Sequence, residues 1–117
     1  VNKKYALNKY NLPDELVDFL TGDKLHLKLP PNDYDIQYIE FFKLTDTIEM
    51  KLGRQKLLRL SAYVDNYSDI EVVWNPNGKG QIGCYDVEHE EYADLCSFAE
   101  FLARPEVYII NFLEGEL

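Results

Sequence analysis

Two cysteines, two histidines, a single tryptophan and only twelve basic side chains are what this chain is short of. Each shortage removes a class of function. Cys84 and Cys96 make no disulfide framework, and a domain of this size needs none; flanked by apolar residues, both are expected as reduced, partly buried thiols. Twelve basic against twenty-one acidic side chains give a formal net charge of −9. Nucleic acid and anionic membrane surfaces bind through neutralising cations, so neither is an expected partner, whereas a basic protein is. No run approaches the roughly 18 apolar residues that span a bilayer, and no charged-then-apolar leader opens the chain. A soluble, cytoplasmic protein is expected.

The histidines do not suggest a metal centre. His26 stands between Lys24 and Lys28 on the polar side of an alternating stretch, where the lysines would lower its basicity. His89 has no second His or Cys at a ligand spacing, and no His-Glu-x-x-His occurs. Ser61, Ser68 and Ser97 lack a Gly-x-Ser-x-Gly setting, and neither cysteine has a basic activator beside it. Asn75-Pro-Asn-Gly-Lys-Gly80 holds two glycines and a lysine but lacks the spacing of a phosphate-binding loop, and it leads into a strand. It reads as a turn. Neither an enzyme nor a bound cofactor or metal is expected.

What is present is a foldable chain. Of the 117 residues, 46% are apolar and 14% aromatic, with nine Tyr and six Phe, enough for one domain and its core. Residues 1–10 are polar and read as a surface or irregular lead-in. Pro13, with Asp14 and Glu15 after it, starts a helix whose apolar side is Leu12, Leu16, Val17, Phe19 and Leu20 and whose stop is Gly22. Lys24 to Leu29 alternates as a half-buried strand, and 36–42 is a second one. Between Thr45 and Tyr67 an Asp46/Glu49 capping box and the Ile48/Leu52 pairing predict a short helix. Gly53 breaks its phase, and an ordered element, helix or strand, follows over 57–64. Ile70–Trp74 and Gln81–Val87 form a hairpin about the 75–80 turn. Ser97 and Glu100 cap a further helix, with Cys96 and Phe101 as its hydrophobic staple. Val107–Leu113 favours a strand by propensity, with a short helix opened by Pro105 as the alternative. The fold class is therefore α+β, a single domain with a mostly antiparallel or mixed sheet flanked by helices near the two ends of the chain.

Asp86-Val-Glu-His-Glu-Glu-Tyr92 packs four carboxylates and a histidine into one stretch, read as a connection from sheet to helix. A hard metal ion or an acid–base pair could use such a set, as could a docking surface for a basic protein. Trp74, the sole tryptophan, is either a core residue or, beside Tyr85 and Tyr92, a binding anchor. The candidate partner-binding residues are Trp74, Tyr85, Asp86, Glu88, Glu90, Glu91 and Tyr92.

Three segments carry a resemblance. Leu12-Pro-Asp-Glu-Leu-Val-Asp-Phe-Leu20, Gly80-Gln-Ile-Gly-Cys-Tyr-Asp86 and Ser97-Phe-Ala-Glu-Phe-Leu102 are similar, in order and rough spacing, to segments of the SUKH superfamily, which includes the yeast Smi/Knr cell-wall regulators. Residues 45–67 match nothing in that pattern, and Thr21-Gly22 stands where the family usually has Asn-Gly. The resemblance implies a mixed sheet flanked by helices and no catalytic residues. It also implies an immunity protein (an antitoxin) that binds and neutralises a toxin, often a nuclease, through a surface that varies between members. An acidic chain blocking a basic nuclease fits by charge complementarity. The rival expectations are an acidic nucleic-acid-mimicking inhibitor from a phage or mobile element, a small metal-dependent hydrolase using Asp86, Glu88 and His89, and a structural subunit of a larger assembly.

Overall fold

The computed structural model describes residues 1–115, and its first element corrects the reading of residues 1–10 as an irregular lead-in. They form a helix, α1 (Lys3–Tyr10). The cause is local. The Asn2 side chain accepts the Tyr5 N–H at 2.8 Å and closes the first turn, while Asn11, at φ 50°, takes the left-handed conformation that ends the helix. Ala6 and Tyr10 turn inward and are buried. α2 (Asp14–Thr21) follows as expected, with Pro13 one position ahead of the first helical residue, Asp14 and Glu15 at the positive end, and Leu16, Val17 and Leu20 buried.

The chain continues through β1 (His26–Lys28), β2 (Tyr38–Phe41), β3 (Ile48–Leu52), β4 (Gln55–Arg59), β5 (Ser61–Val64), β6 (Ile70–Trp74), β7 (Ile82–Asp86) and β8 (Glu91–Cys96). It closes with α3 (Phe98–Ala103) and α4 (Pro105–Glu114). The strands make two sheets, β1-β2-β5 and β3-β4-β6-β7-β8. Among the described residues every pairing is antiparallel, so the mixed variant of the expected sheet is not formed. The architecture is α+β, with the helices at the two ends of the chain.

The sheets meet at Leu60. Its N–H donates to the Val72 carbonyl at 2.9 Å in the larger sheet, and its carbonyl accepts the Phe42 N–H at 2.9 Å beside the smaller one. β4 and β5 are thus one bent strand serving two sheets. The Ser61 hydroxyl accepts the Val72 N–H at 2.8 Å, so the corner leaves that donor satisfied.

Three further expectations are corrected. The short helix predicted after Asp46 is absent: a single 3₁₀ turn at Leu44–Asp46 leads into the β3–β4 hairpin. Gly53 explains this. It takes φ 62° in the two-residue connection Gly53-Arg54, the pattern of a type II′ hairpin turn, so the residue that breaks helical phase is itself the turn. The acidic stretch after Asp86 is not a sheet-to-helix connection either; it turns through residues 87–90 and returns as β8. The strand favoured over Val107–Leu113 is instead α4, with Pro105 at its start, where a missing N–H costs nothing. The capping box of α3 forms as expected: Ser97 Oγ accepts the Glu100 N–H and Glu100 Oε1 accepts the Ser97 N–H, each at 3.1 Å.

The helices cover one face of the larger sheet. Leu58, Ile70, Val72, Trp74, Ile82 and Cys84 on that face pack into one core with Leu16, Leu20, Phe98, Phe101 and Ile109. Trp74 is 1% exposed, and its indole N–H donates to the Tyr10 carbonyl at 2.7 Å, tying α1 to the sheet. Leu57 and Val73 are also fully buried but lie outside this cluster, on the opposite face.

Candidate functional site

That opposite face is where two of the three sequence-predicted aromatics, Tyr85 and Tyr92, come together. Directly opposed residues of antiparallel strands share a face. The pairs Met50↔Leu57, Arg59↔Val73, Val73↔Gly83, Glu71↔Tyr85 and Tyr85↔Tyr92 therefore line the side away from the helices. Ile48 on the β3 edge is 45% exposed, and Met50, Leu52, Tyr85 and Tyr92 are half-buried. Tyr, Met and Arg are the residue types enriched in protein interfaces.

Tyr92 is held in place by what its neighbour lacks. A Cβ on Gly83 would sit 2.4 Å from the Tyr92 hydroxyl oxygen and 2.7 Å from its ring carbons, so only glycine lets this ring lie across β7. The Tyr92 hydroxyl donates to Asp94 Oδ1 at 2.7 Å and accepts from Asn75 Nδ2 at 3.3 Å. Burial and then the Asp94 carboxylate raise its pKa, keeping the hydroxyl protonated. Asn75 also donates to Gln55 Oε1 at 2.9 Å, so the 75–80 turn is fastened to β4 and β8 together.

Across the ladder from Tyr85, Glu71 is held in an ion pair. Glu71 is 6% exposed, and Arg59 Nε meets its carboxylate at 2.6 Å. The same guanidinium donates to the Ser61 and Ala62 carbonyls at 2.9 and 3.2 Å and lies 5.5 Å from the Phe42 ring centroid. Burial raises the Glu71 pKa more than Arg59 lowers it. Loss of Arg59 would leave that carboxyl buried without a partner. The sequence reading misses Ile48, Met50 and Arg59 because it places a short helix where β3 stands and leaves 57–64 open between helix and strand.

The acidic turn caps the far end of the β7–β8 hairpin. Glu88 and Glu90 stand exposed in the turn, with Glu90 at φ 53°, and Asp86 faces Glu91 across its base. Asp86 Oδ1 accepts the His89 N–H at 3.1 Å, and Asp86 Oδ2 meets His89 Nδ1 at 2.8 Å. Partial burial pushes the Asp86 carboxyl up, but hydrogen bonds and charge from His89 outweigh it and hold the carboxyl below its usual range. His89 moves the other way: the bond to Asp86, then its charge, raise the imidazole pKa. Asp86 and His89 therefore form a hydrogen-bonded pair within the turn. Among the described residues, however, no three His, Cys, Asp or Glu side chains converge as a metal-binding set, so Glu88 does not complete one.

Six of the seven candidate residues thus share one hairpin. Trp74 does not join them; it is a core residue locked to Tyr10 and offers no surface. Both thiols are free and buried; desolvation pushes Cys84 well up and Cys96 up to about 12, so neither is a ready nucleophile. His26 is exposed and paired with Glu40 of β2, stacked on Tyr38, a partner that sequence distance conceals. A second carboxylate site was not anticipated. Glu49 Oε2 accepts the Tyr10 hydroxyl at 2.7 Å and the Tyr5 hydroxyl at 2.9 Å, and these bonds lower its pKa.

Comparison with protein-family models, with curated proteins and with solved structures finds no match. Function is therefore read from the site itself. Among the described residues, no helix is long and apolar enough to cross a membrane.

Proposed function

We propose that this chain is a non-enzymatic protein-binding domain, an immunity-type inhibitor that captures a basic, toxin-like protein. The observation that carries this reading is the pairing of half-buried Tyr85 with half-buried Tyr92 on the sheet face opposite the helices, beside an acidic turn on the same hairpin. The aromatics supply rigid, amphipathic contact area near the centre. Glu88, Glu90 and Glu91 supply the charge that speeds encounter with a basic surface and rejects acidic ones. The resemblance to SUKH immunity proteins supports the same conclusion. Its residence in the cytoplasm, where such an inhibitor would meet its toxin, is part of the proposal. The test is affinity capture from the native host's lysate with elution by rising salt. One dominant basic partner, lost when Glu88, Glu90 and Glu91 are all changed to Lys, is the expected result. The same proteins captured by both forms would overturn the assignment.

A further inference from the structure

Charge is not spread evenly over this fold. Residues 1–13 and 47–64 hold seven of the twelve basic side chains and one carboxylate, Glu49, leaving five basic and twenty acidic side chains elsewhere. The two segments touch in space, since Tyr5 and Tyr10 of α1 both bond to Glu49 of β3. Three shallow depressions, of 480, 340 and 330 Å³, adjoin here and share Tyr5, Lys9, Tyr10 and Lys56 as walls. Lys4, Lys51 and Arg54 complete the rim. Tyr5 is 43% exposed, a ring presented to solvent among cations. Nothing acidic except Glu49 faces them from either element.

We propose that this trough between α1 and the β3–β4 hairpin is a second interaction surface, one that binds a short acidic segment of another protein. The inference is independent of the function proposed for the opposite corner. Lys9 and Lys56 wall the same depression, and the Lys9 pKa falls chiefly because of Lys56. A carboxylate placed against this pair would favour the charged form of Lys9. A short peptide suits the patch better than a nucleic acid. The whole molecule measures 39 × 33 × 21 Å, and screening confines the patch's field to roughly 8 Å at physiological salt. A duplex with one charge per about 1.7 Å of axis would run past the patch onto the acidic remainder. A second copy of this chain suits it less, because its acidic hairpin lies elsewhere on the molecule and the contact would propagate into open chains.

The test is fluorescence anisotropy with three labelled probes: a short peptide alternating Glu and Gly, its Gln counterpart, and a single-stranded oligonucleotide of equal charge. The Glu peptide is expected to bind, the Gln peptide not to, and the oligonucleotide to bind more weakly. K9E with K56E should weaken the Glu peptide by at least about tenfold. K51E with R54E, on the exposed hairpin, should do the same, and circular dichroism checks that both variants keep the fold. Equal binding of the Glu and Gln peptides, unaltered binding in both double variants, or an oligonucleotide that binds at least as tightly would each overturn the proposal. So would a light-scattering mass that rises with concentration at low salt and is reset by K9E with K56E, which would give the trough to a second copy.

Discussion

The β3–β4 and β7–β8 hairpins stand at opposite edges of one sheet and are built to opposite specifications. β3–β4 turns in two residues about Gly53 and displays Lys51, Arg54 and Lys56. β7–β8 turns through four residues and displays Glu88 and Glu90, with His89 folded back onto Asp86. The strand registers put the β3–β4 turn at the same end of the sheet as the 75–80 loop, and the β7–β8 turn at the other end. The two charged tips therefore occupy diagonally opposite corners. A net charge of −9 hides this, because a sum carries no positions. A partner responds to the field within a Debye length of where it lands, so the two proposed surfaces would attract partners of opposite sign.

The comparison breaks most completely if α1 leaves the sheet. Trp74→Ala removes the indole that fastens it, and a loss of about 3–5 kcal/mol in urea denaturation is expected. That is a large share of the 5–15 kcal/mol that ordinary domains possess. An unshifted midpoint would mean that the Trp74–Tyr10 contact does not hold α1. Gly83→Ala sharpens the comparison by disturbing one corner only. The new methyl collides with Tyr92, at a cost of about 1–3 kcal/mol, so partner capture should fall while acidic-peptide binding at α1 stays the same. Loss of both activities together would show that the corners are not independent.

Charge reversal at the acidic turn should act on binding alone. With Glu88, Glu90 and Glu91 changed to Lys, stability is expected to stay within about 0.5 kcal/mol, because all three are exposed. Glu91 also opposes Asp86, and reversing it removes a like-charge pair from the ladder. A thermal melt beside the capture experiment checks this; a large drop in melting temperature would assign the turn a structural role. The smallest effect concerns His89. Its folded pKa is raised, so protonated His89 favours the fold at pH values below its unfolded pKa. That contribution fades as pH rises through the folded value. An NMR titration should place the imidazole above its ordinary pKa, and Asp86→Asn should bring it back down. A wild-type value already at the ordinary one would remove the Asp86–His89 link.

Legibility followed how local the determinants were. α2, α3 with its Ser97–Glu100 box and the β6–β7 hairpin are specified by residues a few positions apart, and they are readable as such. α1 was hidden because its buried residues, Ala6 and Tyr10, are few, and its cap is a single asparagine. β3 was mistaken for helix because Asp46 and Glu49 mimic a capping box. In the fold, Glu49 serves two tyrosines that lie 39 and 44 residues away in sequence. α4 was masked by its β-branched and aromatic residues, which the core tolerates in a helix once Pro105 has started it. At the candidate site, Tyr85 to Tyr92 is legible as a cluster along the chain but not as a hairpin, because the stretch after Asp86 reads as a connection and not as β8. The sheet face around it is not, because it depends on β3 and β4 lying in the same sheet.

The most direct test is hydrogen exchange by mass spectrometry on the chain alone and bound to its captured basic partner. Protection concentrated over residues 83–94, with α1 and residues 48–56 unchanged, is the predicted result. Protection over α1 and the β3–β4 hairpin, with the β7–β8 turn exchanging as in the free chain, would contradict the assignment of function to the acidic corner.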